Sequence, residues 1–181
     1  VITGPSGVGK GTLIRGLRER LPQLELAVSA TTRPPRAGER DGVDYHFLTP
    51  EEFDRRLGAG EFLEHATYAG NRYGTLREEV ARRTAAGAPV VLEIEVQGAR
   101  QVREAMPEAL MVFIAPPSLQ ALRSRLVGRG TDSPAQVRSR LRTAERELRA
   151  RDEFARVVVN DRLEQAVDEL TGIVGQALAD R

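Results

Sequence analysis

The stretch Gly4-Pro5-Ser6-Gly7-Val8-Gly9-Lys10-Gly11-Thr12 constrains this chain more than any other. An apolar, β-branched run from Val1 to Thr3 precedes it. Leu13, Leu17 and Leu21 follow at i, i+4, i+8 and stop at Pro22, so the segment reads as strand, glycine-rich loop, helix. Glycines at this junction let successive backbone N–H groups curl into an anion-binding nest at the positive end of a helix. Gly4, Gly9 and Lys10 match the spacing Gly, four residues, Gly-Lys; the following Ser/Thr position is Gly11, and the hydroxyl comes one residue later, at Thr12. Lys10 is also the single lysine among 27 basic residues, the other 26 being arginine. A compact ammonium on a thin stem suits a site that wraps one phosphate oxygen, where a planar guanidinium fork does not fit.

At 181 residues the chain reads as one domain with room for a substantial core. It has no cysteine, which removes disulfides, thiolate metal sites and a cysteine nucleophile and fits a reducing compartment such as the cytoplasm. His46 and His65 have no zinc-motif spacing. The formal net charge of +1 lacks the positive field of a nucleic-acid binder, and no apolar run approaches a membrane span. The sequence opens at Val1 without a methionine, so residues upstream are expected.

Downstream, Leu26 to Ala30 reads as a strand, and a basic, proline-stiffened loop runs from Thr31 to Gly42. A helix starts at Thr49-Pro50-Glu51-Glu52, with Thr49 as N-cap and Glu52 placed to close a capping box. Residues 61 to 75 suggest a binding loop or short hairpins. Pro89 to Val96 reads as a strand carrying Glu93 and Glu95 on one side, and Leu110 to Ala115 as a buried parallel strand. Pro116-Pro117-Ser118 caps a helix that Gly128-Arg129-Gly130 interrupts, and Ser133 caps the next one. In that helix Val137, Leu141, Ala144 and Leu148 form one stripe. Arg156 to Asn160 is a last strand and 163 to 180 a last helix. Alternating strands and helices predict an α/β fold on a parallel sheet.

Two basic clusters bear on where a phosphoryl group would go. Arg33 and Arg36 suit bidentate capture of a second phosphate. Arg123, Arg125, Arg129, Arg138 and Arg140 crowd a glycine-broken segment that could close as a lid, whereas Arg142, Arg146 and Arg149 read as a solvated helix face.

The runs Ser29-Ala30-Thr31-Thr32-Arg33-Pro34-Pro35-Arg36-Ala37-Gly38-Glu39, then Gly42, Tyr45 and Phe47, resemble the signature of guanylate kinases. So do Phe62-Leu63-Glu64-His65-Ala66, Asn71-Arg72-Tyr73-Gly74-Thr75, Glu93-Ile94-Glu95-Val96-Gln97-Gly98-Ala99, Arg129-Gly130-Thr131 and Val159-Asn160-Asp161. The similarity spans nearly the whole chain in the family's order. It implies a P-loop kinase: a parallel-sheet core flanked by helices (about 1–29, 87–125 and 141–181), a GMP-binding region (about 30–86) and a lid (about 126–140). It also implies ATP and GMP as substrates and Mg²⁺ as cofactor.

By the same resemblance the loop from Gly4, Pro5, Ser6, Gly7, Val8 and Gly9 through Lys10, Gly11 and Thr12 binds ATP, with Asn160 near the donor nucleotide. Arg33, Arg36, Tyr45 and Tyr73 hold the acceptor phosphate, and Ser29, Glu64, Thr75 and Glu95 read the guanine. Lys10, Arg125, Arg129 and Arg140 attend the transferring phosphoryl. Glu95 departs from the aspartate usual in the family. Guanine offers N1–H and an N2 amino group as donors and O6 as acceptor, which suits two carboxylates and a hydroxyl. The expected reaction is Mg-ATP plus GMP giving ADP plus GDP. The rival readings are a P-loop kinase for another small acceptor and a non-catalytic guanylate-kinase-like interaction module; such modules lose the loop that Lys10 and its glycines preserve.

Overall fold

The computed structural model describes residues 1–128 and 134–180. Along the chain the elements are β1 (Ile2–Thr3), α1 (Lys10–Arg20), β2 (Glu25–Leu26), β3 (Ala30–Thr31), β4 (His46–Phe47), α2 (Pro50–Gly58), β5 (Phe62–Tyr68) and β6 (Asn71–Leu76). They continue with α3 (Arg77–Ala85), β7 (Val90–Val91), α4 (Val96–Ala105), β8 (Val112–Ala115), α5 (Leu119–Gly128), α6 (Pro134–Arg149), β9 (Arg156–Val159) and α7 (Leu163–Ala179). The expected α/β class is what this order gives. The residues group into two compact units, one of 1–22, 93–96 and 110 onwards, the other of 23–92 and 97–109. Residues 30–86 all fall in the second. No helix among the described residues is long and apolar enough to cross a membrane.

In the first unit β8 is central in a parallel sheet of order β1-β8-β9. Its four residues are all buried, which is why it reads as an unbroken apolar run. Helix α1 turns Leu13, Ile14 and Leu17 inward and packs on α7, whose Ala166, Val167, Leu170 and Val174 repeat at helical spacing. Ser118 accepts the Ala121 N–H at 3.0 Å and starts α5 as expected; Ser133 lies outside the described residues. Val137 and Ala144 of the α6 stripe are buried, Leu141 and Leu148 partly so.

The second unit holds a four-stranded sheet of order β4-β3-β6-β5 and a parallel pair β2-β7. Ala30, Phe53, Phe62 and Leu76 form its core with Leu48 and Leu57, and Phe53 stacks on Phe62 at 4.4 Å between centroids. Thr49 caps α2 by accepting the Glu52 N–H at 3.2 Å, but the Glu52 carboxylate takes Arg55 and Arg56 instead of closing a capping box. β5 and β6 form a hairpin through Ala69 and Gly70, both at positive φ (50° and 80°), as a two-residue turn matched to strand twist requires.

Two expected strands are shorter than their apolar runs. The run 26–30 divides into β2 and β3, which pair with different partners, β7 for one and β4 and β6 for the other. The run 89–96 keeps only Val90–Val91 in a ladder; Glu93 makes a single bridge to Ile2, and Val96 already begins α4.

Candidate active site

The loop between β1 and α1 has the conformation its glycines allow. At Gly4 φ is 141°, and a Cβ would stand 2.2 Å from the Ile114 carbonyl oxygen, so no side chain fits against β8. Gly9, at φ 97°, caps α1 and leaves room for Asn160, whose Nδ2 would lie 2.7 Å from a Cβ. Lys10 folds back over the loop and donates to the Gly4 carbonyl at 2.6 Å and more weakly to Pro5 at 3.4 Å. Asn160 Nδ2 donates to the Val8 carbonyl at 2.8 Å. Arg125 reaches the same oxygen with Nη1 (3.2 Å) and the Asn160 carbonyl with Nη2 (2.8 Å). Val8 is fully buried, so loop, β9 end and α5 are tied together around it. Gly11 and Thr12 are exposed on the first turn of α1, and a Cβ at 11 would lie 3.6 Å from a Glu93 carboxylate oxygen.

Carboxylates stand beside this loop. Burial pushes the Glu93 carboxyl above its ordinary range; Lys10 opposes that rise and Glu95 adds to it. Glu147, on α6, is pushed up to about 8 by burial and by Glu95, with which it shares a hydrogen bond, against the pull of Lys10 and the Ser6 N–H. Sequence reasoning missed Glu147. The signal was its position: three residues after buried Ala144 and seven after Arg140, it borders the apolar stripe. Arg140 is partly buried on α6, and Arg129 lies outside the described residues.

In the second unit the structure gathers Arg33, Tyr45 and Tyr73. The Arg33 guanidinium lies 5.2 Å from the Tyr45 ring centroid, and Tyr45 meets Tyr73 edge-on at 6.2 Å; Glu39 and, more weakly, Tyr73 raise the Arg33 pKa against burial. Glu39, unassigned from sequence, accepts both Nη groups of Arg33 at 2.9 Å each and the Arg36 N–H at 2.7 Å. These bonds lower the Glu39 carboxyl, Arg33 contributing most. Arg36 joins through its backbone while its side chain is exposed. The available signal was Gly38, at φ 87° in the turn that closes from the Glu39 N–H to the Arg36 carbonyl.

Glu64 and Thr75 are cross-strand partners on β5 and β6, and the Thr75 hydroxyl donates to Glu64 Oε1 at 2.7 Å. Both are buried, Glu64 only 4% exposed. Ser29 is partly buried, its carbonyl accepting the His46 N–H at 2.9 Å. Glu95 belongs to the first unit, where its recorded partner is Glu147.

A glycine loop joining a parallel strand to a helix, with a lysine over it and Arg125 against it, defines a P-loop phosphotransferase. The family model described as guanylate kinase matches residues 1–177. The chain is 54% identical over 174 residues to the guanylate kinase of Thermobifida fusca (strain YX), covering 96% of this chain and 89% of that one. It is 55% identical over 170 residues to that of Synechococcus sp. (strain CC9311), covering 94% and 90%. The crystal structure of guanylate kinase from Anaplasma phagocytophilum superposes with a TM-score of 0.78 at 33% identity, covering 97% of this chain and 84% of that one. The chain belongs to the guanylate kinase family, whose members are ATP:GMP phosphotransferases.

Proposed function

We propose that the chain transfers the γ-phosphoryl group of ATP to GMP. An oxygen of the GMP phosphate attacks the γ-phosphorus as the bond to the β-bridging oxygen breaks, giving ADP and GDP. That oxygen is already anionic, so no side chain acts as nucleophile. Catalysis is positioning plus charge neutralisation. The nest from Gly4 to Gly9 and Lys10 take the ATP phosphates, with Asn160 on the donor side. Arg33, Arg36, Tyr45 and Tyr73 take the acceptor phosphate, and Arg125, Arg129 and Arg140 attend the group in transfer. Ser29, Glu64, Thr75 and Glu95 read the base.

Magnesium arriving with ATP would neutralise charge on the phosphates. No group of three His, Cys, Asp or Glu among the described residues could hold a metal alone, and Gly11 brings no hydroxyl. Phosphate oxygen and water are a donor set that magnesium accepts, and the Glu93 carboxylate stands beside Gly11. A cytoplasmic location accords with a cysteine-free chain acting on nucleotides.

The observation that carries this reading is the buried Glu64 carboxylate with Thr75 bonded to it. Such a pair offers carboxylate oxygen to guanine N1–H and N2 amino hydrogens, and the Thr75 hydroxyl, which donates to Glu64 Oε1, serves O6 once it turns from that oxygen to the base. ADP release is to be followed with ATP and a panel of monophosphates, where GMP is expected to be the preferred acceptor. Glu64→Ala lowers kcat/KM for GMP about 10- to 150-fold, the loss of a hydrogen bond to a charged group, and lowers that for IMP less. Equal losses on both acceptors would assign Glu64 to loop support.

A further inference from the structure

The geometry around Glu64 assigns a role to a residue with no side chain. Thr75 fixes Oε1. The other oxygen turns towards the first turn of α4, where the third residue is Gly98, itself buried. A Cβ at 98 would stand 2.1 Å from Glu64 Oε2, 2.9 Å from Cδ and 3.4 Å from Cγ. Real Cβ atoms do not approach other atoms that closely, so a methyl group and this carboxylate exclude each other. Nor does the backbone need glycine here. Gly98 has none of the positive φ values seen at Gly4, Gly7 or Gly9, and inside a helix alanine is the better former. The carboxylate is what requires the missing Cβ, and the missing Cβ lets Glu64 lie against the positive end of α4.

We propose that Gly98 is a specificity-determining position, which sets where the Glu64 carboxylate stands and so the preference for a purine with both N1–H and a 2-amino group. This rests on Glu64 being the base reader. Gly98→Ala pushes the carboxylate off Thr75 and away from the plane in which it can accept two parallel donors. An acceptor without the 2-amino group, such as IMP, has less to lose. Glu64→Asp withdraws the carboxylate by one methylene and so removes the atom that would stand 2.1 Å from a methyl group at 98, which relieves the worst of the overlap. The two substitutions are therefore not additive.

The test measures kcat/KM for GMP and IMP, KM for ATP and the thermal midpoint in the wild type, Gly98→Ala, Glu64→Gln, Glu64→Asp and the Glu64→Asp/Gly98→Ala pair. Gly98→Ala is expected to lower kcat/KM for GMP about 10-fold or more, chiefly through KM for GMP, to narrow the GMP:IMP ratio and to leave KM for ATP alone. Adding Gly98→Ala to Glu64→Asp costs several-fold less than adding it to the wild type. A Gly98→Ala enzyme with the wild-type GMP:IMP ratio overturns the proposal, as does an equal cost in both backgrounds. Should Gly98→Ala alone not fold, the pair must recover the midpoint of Glu64→Asp, and failure to recover it overturns the proposal too. If Glu64→Gln keeps the wild-type ratio, the base-reader assignment falls and this inference with it. If Glu64→Gln shifts the ratio and Gly98→Ala does not, only the role of Gly98 falls.

Discussion

In the first unit the candidate anion site is mostly backbone, a loop of glycine N–H groups under one ammonium. In the second it is side chain, a guanidinium at Arg33 held by Glu39 and flanked by Tyr45 and Tyr73. Their carboxylates differ in the same way. Beside the loop, Glu93 and Glu147 are crowded by burial and by Glu95 and are pushed up. In the second unit Glu39 and Glu79 are held down; burial would raise Glu79, but the Val28 N–H with Arg82 and Arg83 outweighs it and brings the carboxyl to about 2. A site made of backbone leaves the charged side chains around it free to crowd one another. A site made of side chains must pin each one with an opposite charge, or the fork it presents has no fixed orientation.

The sharpest way to break this contrast is at Lys10. Lys10→Ala should cut turnover by at least about 10³-fold, since a charge aimed at the transferring phosphates is lost from a preorganised site. Lys10→Arg should fail similarly, because the planar fork does not fit where Lys10 reaches the Gly4 carbonyl. Steady-state ADP release with circular dichroism as a folding control decides it. Near-wild-type turnover in a folded variant would mean the backbone nest suffices.

On the side-chain half, Arg33→Ala should raise KM for GMP about 10- to 150-fold with KM for ATP unchanged. Glu39→Ala should raise it about 10-fold, because Arg33 loses its bidentate clamp while keeping its charge. Glu39→Gln, able to accept from only one Nη, falls between. A lower KM for GMP in Glu39→Ala would instead make Glu39 a competitor for the guanidinium.

The smallest effects separate the units by pH. Glu79 has a lowered carboxyl, so its contribution is present above about 4.5 and is lost as pH falls towards 2. Arg82, one of its partners, is mostly exposed, which screens the pair and leaves on the order of 1–2 kcal/mol, a few degrees in thermal midpoint. Glu147 has the opposite sign: the folded state keeps its proton, so that contribution is present below about 4.5 and is lost as pH rises towards 8. Midpoints against pH should flatten on the acid side in Glu79→Gln and on the alkaline side in Glu147→Gln. A pair of variants with unchanged profiles would remove the contrast in carboxylate environment.

What was legible from the sequence follows the same division. Spacing along one strand, loop and helix exposes the phosphate loop, because all its parts are neighbours in the chain. The caps at Thr49 and Ser118 are local and were equally readable. Glu39 was three residues from Arg36 and still went unassigned, since its partner is the guanidinium of Arg33. Glu147 meets Glu95 and Ser6 only through the fold, and Gly98 matters only because β5 brings Glu64 to it. The hairpin was half visible: its turn is Ala69-Gly70, and alanine at positive φ is not a residue that announces a tight turn. The run 26–30 looked like one strand because apolar residues continue through it, whereas pairing partners change midway.

The solitary lysine has a consequence for handling the molecule. A protease that cuts only after lysine finds one bond in this sequence, Lys10–Gly11, at the first turn of α1. The Lys10 ammonium is engaged by the Gly4 carbonyl, so cleavage must wait for that contact to release and the helix start to fray. A single cut therefore becomes a clock for local opening of the loop, and nucleotide occupancy can be read from a gel band.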